Sequence, residues 1–354
     1  NRDGILEVVC SIGVPATLYV LSGKDGCVLW QKSFDEQVAF TNGSRIADLD
    51  GAGHEELFLL GNAPAENSRH LGWAFRFHPG SGQPELMWGP LALPFNPHYR
   101  PQTIVADIDG DGAMEIVMAS ADHATIGLTV AAFDALTGKL ERQASFRNGD
   151  RNYGHLQAVK TSDKPQRDVL VVGMLGESHI TFLSNDETGM REVWNVKETF
   201  LIPYNPVADL EGDGKLEVVY TRIRGEGDRP RAEEVVITVR DLLSGTVKRE
   251  VPGMKLQGLL DLDADGRSEL IATTVPAEEI VLDAGNPRQR KLPIPGASLC
   301  MIADRPPIHM MNEPAWERSG FNVFARDVNG DGVQEFFVNV EDALLGIDGR
   351  SLDI

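Results

Sequence analysis

Asp107-Ile108-Asp109-Gly110-Asp111-Gly112-Ala113-Met114-Glu115 packs four carboxylates into nine residues, between the apolar runs Thr103-Ile104-Val105-Ala106 and Ile116-Val117-Met118. The spelling returns three times: Asp209-Leu210-Glu211-Gly212-Asp213-Gly214-Lys215-Leu216-Glu217, Asp261-Leu262-Asp263-Ala264-Asp265-Gly266-Arg267-Ser268-Glu269 and Asp327-Val328-Asn329-Gly330-Asp331-Gly332-Val333-Gln334-Glu335. A further copy, Asp48-Leu49-Asp50-Gly51-Ala52-Gly53-His54-Glu55-Glu56, lacks only the acid at position five. The amino terminus, Asn1-Arg2-Asp3-Gly4-Ile5-Leu6-Glu7, joins a copy at its third position. A repeat at fixed period decides the architecture before any single element does.

The ninth-position acids Glu7, Glu56, Glu115, Glu217, Glu269 and Glu335 stand 49, 59, 102, 52 and 66 residues apart. The gap of 102 is twice 51, and a degenerate unit fills its middle, from Val159 and Lys160 through Asp163 and Lys164 to Asp168. Seven units of about 50 residues result, a period that falls in the range of repeat architectures. Apolar runs of three to five residues bounded by turns suit strands buried on both faces. A Gly-closed hairpin follows in several units, at Gly26, Gly138, Gly189 and Gly245, and helical periodicity is absent. The expected fold is all-β: one seven-bladed β-propeller over residues 1–354, with four-stranded blades near 1–40, 41–100, 101–150, 151–200, 201–250, 251–315 and 316–354. The first blade lacks its innermost strand within this chain. That strand is expected from upstream sequence or from a partner, and the chain is read as part of a larger protein or assembly.

Calcium takes six to eight oxygen ligands at relaxed geometry. Acids at positions one, three, five and nine, with a backbone carbonyl at seven, can wrap them around one ion. Glycine at position six permits the left-handed backbone of the tight turn. The loop is not an EF-hand, because position twelve falls on Met118, Tyr220, Ala272 and Val338, inside apparent strands. Asp-Gly pairs also form ordinary turns, but four loops sharing one acid spacing make that reading alone insufficient. Such clusters repel strongly without counterions.

These residues resemble the calcium-binding FG-GAP or VCBS-type propeller repeat, as in the head of integrin α subunits, and the resemblance covers essentially the whole chain. It implies that each loop joins the innermost strand of a blade to the second and binds Ca²⁺, with about four ions in all. The ligand sets it implies are Asp107, Asp109, Asp111, Ala113 and Glu115; Asp209, Glu211, Asp213, Lys215 and Glu217; Asp261, Asp263, Asp265, Arg267 and Glu269; and Asp327, Asn329, Asp331, Val333 and Glu335, the seventh residue of each acting through its carbonyl. Glu at position nine and Glu211 at position three depart from the family pattern. Asp48, Asp50 and Glu56 form a weak site, since Ala52 offers no side-chain oxygen. Asn1, Asp3 and Glu7 form an incomplete one. The unit around Asp163 carries Lys160 and Lys164 where acids belong, and no metal is expected there.

The 354 residues include 33 Lys and Arg against 53 Asp and Glu, a formal charge of −20. So acidic a chain is a poor non-specific partner for nucleic acid or anionic lipid. At 42% hydrophobic and 24% charged it has material for a core. Cys10, Cys27 and Cys300 are too few for a disulfide framework, and no run approaches a membrane span. The chain begins with Asn rather than Met, which reads as a processed or truncated start. Modest-affinity calcium loops fill at extracellular concentrations, so an extracellular, cell-surface, periplasmic or lumenal setting is expected. The lone sequon Asn42-Gly43-Ser44 adds little.

In integrin-like propellers the face opposite the calcium loops takes ligands. Segments that would lie there carry His98, Tyr99, Arg100, Arg151, Tyr153, His155, Tyr204, His309, Trp316 and Arg318. Two functions compete for these residues. One is non-enzymatic recognition of a protein or glycan, in adhesion or assembly, with Trp and Tyr giving area and Arg giving hydrogen bonds. The other is a polysaccharide lyase, with His98, Tyr99, Arg100, Tyr153 and His155 neutralising a uronate and exchanging protons. A purely architectural role in a filament or coat is the third alternative. Trp30, Trp88 and Trp194 follow Gly turns and read as packing residues.

Overall fold

A computed structural model describes residues 7–12, 16–34, 38–41, 43–63, 69–78, 83–95, 101–121, 127–147, 153–173, 177–201, 206–224, 232–261, 266–274, 299–302, 324–326, 329–340 and 343–348. The chain is all-β: antiparallel strands throughout, with Ala232–Glu234 the one helical turn among the described residues. Two compact units are distinguished, residues 1–174 with 179–195, and 175–178 with 196–354.

In the first unit the sheet around the quoted loop shows how the sequence makes a repeat. Gln102–Ala106 enters the acidic loop, Glu115–Ala121 leaves it, and Leu128–Asp134 and Leu140–Phe146 complete a four-stranded antiparallel meander. The strand leaving the loop and its hairpin partner are apolar at nearly every position and buried on both faces, for example Ile116, Val117, Met118, Val130 and Ala132. The outermost strand alternates exposed and half-buried residues, as expected where one face meets water. Comparable meanders run through Val8–Ile12, Thr17–Leu21 and Val28–Ser33, and through Glu56–Asn62, His70–Phe77 and Pro84–Ala92. Tyr153–Val159, Asp168–Gly173, Glu177–Asp186 and Gly189–Leu201 follow in the same order.

The acidic loop is pinned to the core by its second residue. Ile108 is fully buried, in a cluster with Val117, Val130, Val169 and Val171, and Leu49 occupies the same place in its own loop beside Phe58 and Phe133. Burying one such side chain contributes about 1.5–3 kcal/mol. Asn185 is a second pin. Its buried amide donates to the carbonyls of Ile108 (2.7 Å) and Arg167 (3.2 Å) and accepts from Arg142 (3.1 Å). The tryptophans pack: Trp88 lies against Phe58 and donates to the Ala135 carbonyl at 2.8 Å, and Trp194 stacks on Phe182.

In the second unit Glu217–Ile223, Val235–Asp241 and Val247–Pro252 form an antiparallel meander, with Val207–Ala208 pairing the first of them. The end of the long strand Gly189–Leu201 also pairs with Glu217–Ile223, through Thr199, Phe200 and Leu201. Its apolar core gathers Val219, Ile237, Val239, Leu256 and Leu270. A polar network runs beside it: the buried Tyr220 hydroxyl donates to Glu198 (2.7 Å), and Arg240 contacts both Tyr220 (3.0 Å) and Glu198 (3.2 Å). Met254–Leu260, Glu269–Thr274 and Leu299–Ile302 form one further sheet, and Phe324–Arg326, Glu335–Val340 and Ala343–Asp348 another.

Candidate metal centre

Loop 107–115 folds around its own acids. Asp107 accepts the backbone N–H groups of Gly110 (2.7 Å) and Gly112 (3.2 Å), Asp109 that of Asp111 (3.2 Å), and Asp111 that of Ala113 (2.7 Å). Gly112 sits at φ 93°, the left-handed conformation that position six requires. Glu115 is 1% exposed, and its Oε2 accepts the N–H of Ile108 at 2.8 Å. Its Oε1 is buried without a hydrogen-bond partner. One oxygen from each of Asp107, Asp109 and Glu115 lies within 4.8 Å of the others. The single ion pair on these acids, among the described residues, is Arg142 to Asp109 at 3.8 Å.

Burial pushes the Glu115 carboxyl up to about 7, with Asp109, Asp107 and Glu141 adding to the shift against the Ile108 hydrogen bond. An orphaned carboxylate oxygen in a buried cluster of acids is costly unless a cation meets it. The donor set is hard oxygen throughout, which suits Ca²⁺ rather than a thiophilic metal. The residues present fit a calcium ion.

Loop 209–217 repeats the backbone pattern with different charges around it. Asp209 accepts N–H groups from Glu211 (3.2 Å), Gly212 (2.7 Å), Asp213 (3.3 Å) and Gly214 (2.8 Å). Glu217 is fully buried, and its Oε2 accepts the N–H of Leu210 at 3.1 Å. Its Oε1 is met at 2.6 Å by the Lys248 ammonium, which also lies 3.0 Å from Glu211. Those hydrogen bonds, that of Glu217 foremost, hold the Lys248 ammonium well above its ordinary range. Lys215 pairs with Asp213 at 2.6 Å.

The other copies divide along the same line. At loop 48–56 the acid lost at Ala52 is accompanied by Arg76, which pairs with Asp50 at 2.8 Å and lies 3.9 Å from Glu56. In the degenerate unit Lys164 donates to the buried Asp168 at 2.6 Å and to the Asn185 carbonyl at 2.9 Å. At loop 327–335 the Asn329 amide donates to Glu335 at 2.8 Å. Asp348, opposite Glu335 in the ladder, brings an oxygen within 4.8 Å of those of Asp331 and Glu335. Asp348 lies 13 residues beyond Glu335, and only the strand register shows that it belongs there. Asp261 accepts the N–H of Gly266 at 3.0 Å.

Asn1, Asp3, Asp263, Asp265 and Asp327 lie outside the described residues, as do His98, Tyr99, Arg100, Arg151, Tyr204, His309, Trp316 and Arg318. Of the opposite-face residues, Tyr153 and His155 begin the strand Tyr153–Val159. The His155 ring is half-buried, with Nε2 3.1 Å from the Gln157 amide oxygen, and burial lowers its pKa.

No family model matches the chain, and no curated protein matches it either. Solved structures do. A rhamnogalacturonan lyase, YesW, is similar over 99% of this chain and 71% of its own, at 15% identity and a TM-score of 0.52. Sqt1 from Saccharomyces cerevisiae is similar over 96% of this chain and 81% of its own, at 10% identity and a TM-score of 0.53. These neighbours are β-propeller proteins, and a β-propeller fold is supported for this chain. At such identities the likeness concerns the fold alone. No helix among the described residues is long and apolar enough to cross a membrane.

Proposed function

We propose that this protein is a calcium-stabilised β-propeller of seven blades that serves as a non-enzymatic recognition or assembly module in an extracellular setting. The observation that carries the calcium part is the buried, unpartnered oxygen of Glu115, a carboxylate that also brings an oxygen within 4.8 Å of those of Asp107 and Asp109. Asp107, Asp109, Asp111 and Glu115 would hold the ion, with the Ala113 carbonyl. When bound, the ion supplies charge neutralisation and ties the entering strand to the leaving one. The acids of the loop are drawn together around its own backbone N–H groups, and the ion's proposed role is structural. Loop 327–335, with Asn329, Asp331, Glu335 and the added Asp348, is the second candidate. Calcium titration followed by melting tests the reading: a rise in Tm with calcium, reduced by Glu115→Gln, is expected, and an unchanged Tm in the metal-stripped protein overturns it.

A second reading, a lyase acting on an acidic polysaccharide, is favoured by the rhamnogalacturonan lyase among the similar structures and by the half-buried His155 imidazole, whose pKa burial lowers. Incubation with rhamnogalacturonan would raise ultraviolet absorbance as unsaturated ends form. Turnover lost in His155→Ala supports this reading. Binding without turnover supports recognition.

A further inference from the structure

The two loops that share the acidic spelling differ at one position of the sheet that lies outside the motif. In each meander the outermost strand carries a bulge where it pairs with the third strand. The ladder passes from Ala132–Arg142 to Phe133–Leu140 in one sheet and from Val239–Arg249 to Arg240–Val247 in the other. The residue left over is Glu141 in the first and Lys248 in the second. A bulge re-aims the side chain it carries, and Lys248 is aimed into the acidic loop, between Glu217 and Glu211. The neighbouring Arg142 and Arg249 are the same residue type in both sheets, whereas the bulge residue changes from Glu to Lys. Phe133 and Arg240 differ in charge as well, but Arg240 is engaged with Tyr220, Glu198 and the Gly245 carbonyl rather than with the loop acids.

We propose that loop 209–217 is a self-filled site: the Lys248 ammonium is its resident cation, and this copy of the motif takes no divalent ion. Calcium would need oxygens at about 2.3–2.6 Å, whereas Nζ already stands 2.6 Å and 3.0 Å from two of the carboxylates it would share. The ammonium occupies that volume and repels a second cation. Four carboxylates there face two ammoniums, those of Lys215 and Lys248. At loop 107–115 the bulge adds a fifth acid, Glu141, and among the described residues the cation paired with these acids is a guanidinium 3.8 Å from Asp109. The inference deepens the calcium reading by stating which copies of the motif take part, but the geometry at Lys248 stands without it.

The test counts bound calcium by equilibrium dialysis in millimolar calcium on the full chain. Asp209→Asn in the otherwise unchanged protein is expected to leave the count unaltered, and a loss of one equivalent overturns the proposal. Lys248→Gln is expected to gain one equivalent, which Asp209→Asn then removes. A folded Lys248→Gln protein, by circular dichroism and gel filtration, that gains none also overturns it. Should Lys248→Gln fail to fold, the Asp209→Asn arm decides alone. Failure of the wider calcium reading looks different: Glu115→Gln then leaves the count unchanged, while Lys248→Gln still gains its ion.

Discussion

Loops 107–115 and 209–217 share the first, fourth, fifth, sixth and ninth of their nine letters and a similar set of backbone hydrogen bonds, yet one leaves a buried carboxylate oxygen unmet and the other covers it with a lysine. In both, one oxygen of the ninth-position Glu closes the loop by accepting the N–H of the second residue. That half of the motif is a folding device and works without an ion. The other oxygen needs a positive charge, and the motif does not say whose. The difference teaches that an acidic loop specifies a demand for charge, while the third and fourth strands of its sheet specify how the demand is met.

The comparison can be broken hardest at the glycine in position four. A Cβ on Gly110, at φ 79°, would come within 2.3 Å of the Pro165 side chain and 2.5 Å of its backbone carbon. On Gly212, at φ 69°, it would meet the flexible Arg267 side chain at 2.7 Å. Gly110→Ala is expected to destabilise by about 2–4 kcal/mol, through strain plus a forced backbone shift. Gly212→Ala should cost about half as much, since the arginine can swing away. Equal midpoints in urea unfolding would remove this asymmetry.

Calcium should sharpen the contrast next. At one hundred times its dissociation constant a ligand stabilises by about 2.7 kcal/mol. Chelation is therefore expected to lower Tm through loop 107–115, with the effect lost in Asp109→Asn and kept in Glu211→Gln. Calorimetry with and without chelator reads this directly.

The pH dependence of the metal-free protein follows from Glu115. Burial raises its carboxyl from the ordinary 4.5 to about 7 in the fold. Between these values the native state holds more protons than the unfolded one, so stability falls as pH rises through that window. Calcium favours the charged form and is expected to flatten the slope. Glu115→Gln should flatten it without calcium, and an unchanged slope in that variant would assign the effect elsewhere. The smallest effect belongs to Lys215→Ala. Its pair with Asp213 is exposed and screened by solvent, and only a small shift of the midpoint is expected in the same unfolding assay.

Much of the architecture was legible in the chain. The acidic loops marked where strands enter and leave, the apolar runs after them gave the doubly buried strands, and Gly138 and Gly245 closed hairpins. The charges that decide between ion and lysine were not. Lys248 lies 31 residues after Glu217 and Glu141 lies 26 after Glu115, each across a hairpin and on a bulge. Arg76, opposite Glu56, and Asp348, opposite Glu335, were hidden for the same reason: cross-strand neighbours depend on register. Lys164 was readable because it sits inside the degenerate loop itself. The opposite-face residues rest on loop position and residue type, and among those described only His155 has its side chain placed, against Gln157.

The amide of Asn185 bears on how the protein is made. Its hydrogen bond to the Ile108 carbonyl spans 77 residues. A ribosome adding about 5–20 residues per second exposes the acidic loop several seconds before its clamp emerges. During that interval the newborn segment holds its carboxylates on a backbone not yet fastened. Asn185→Ala would leave the loop without that fastening in the finished molecule as well.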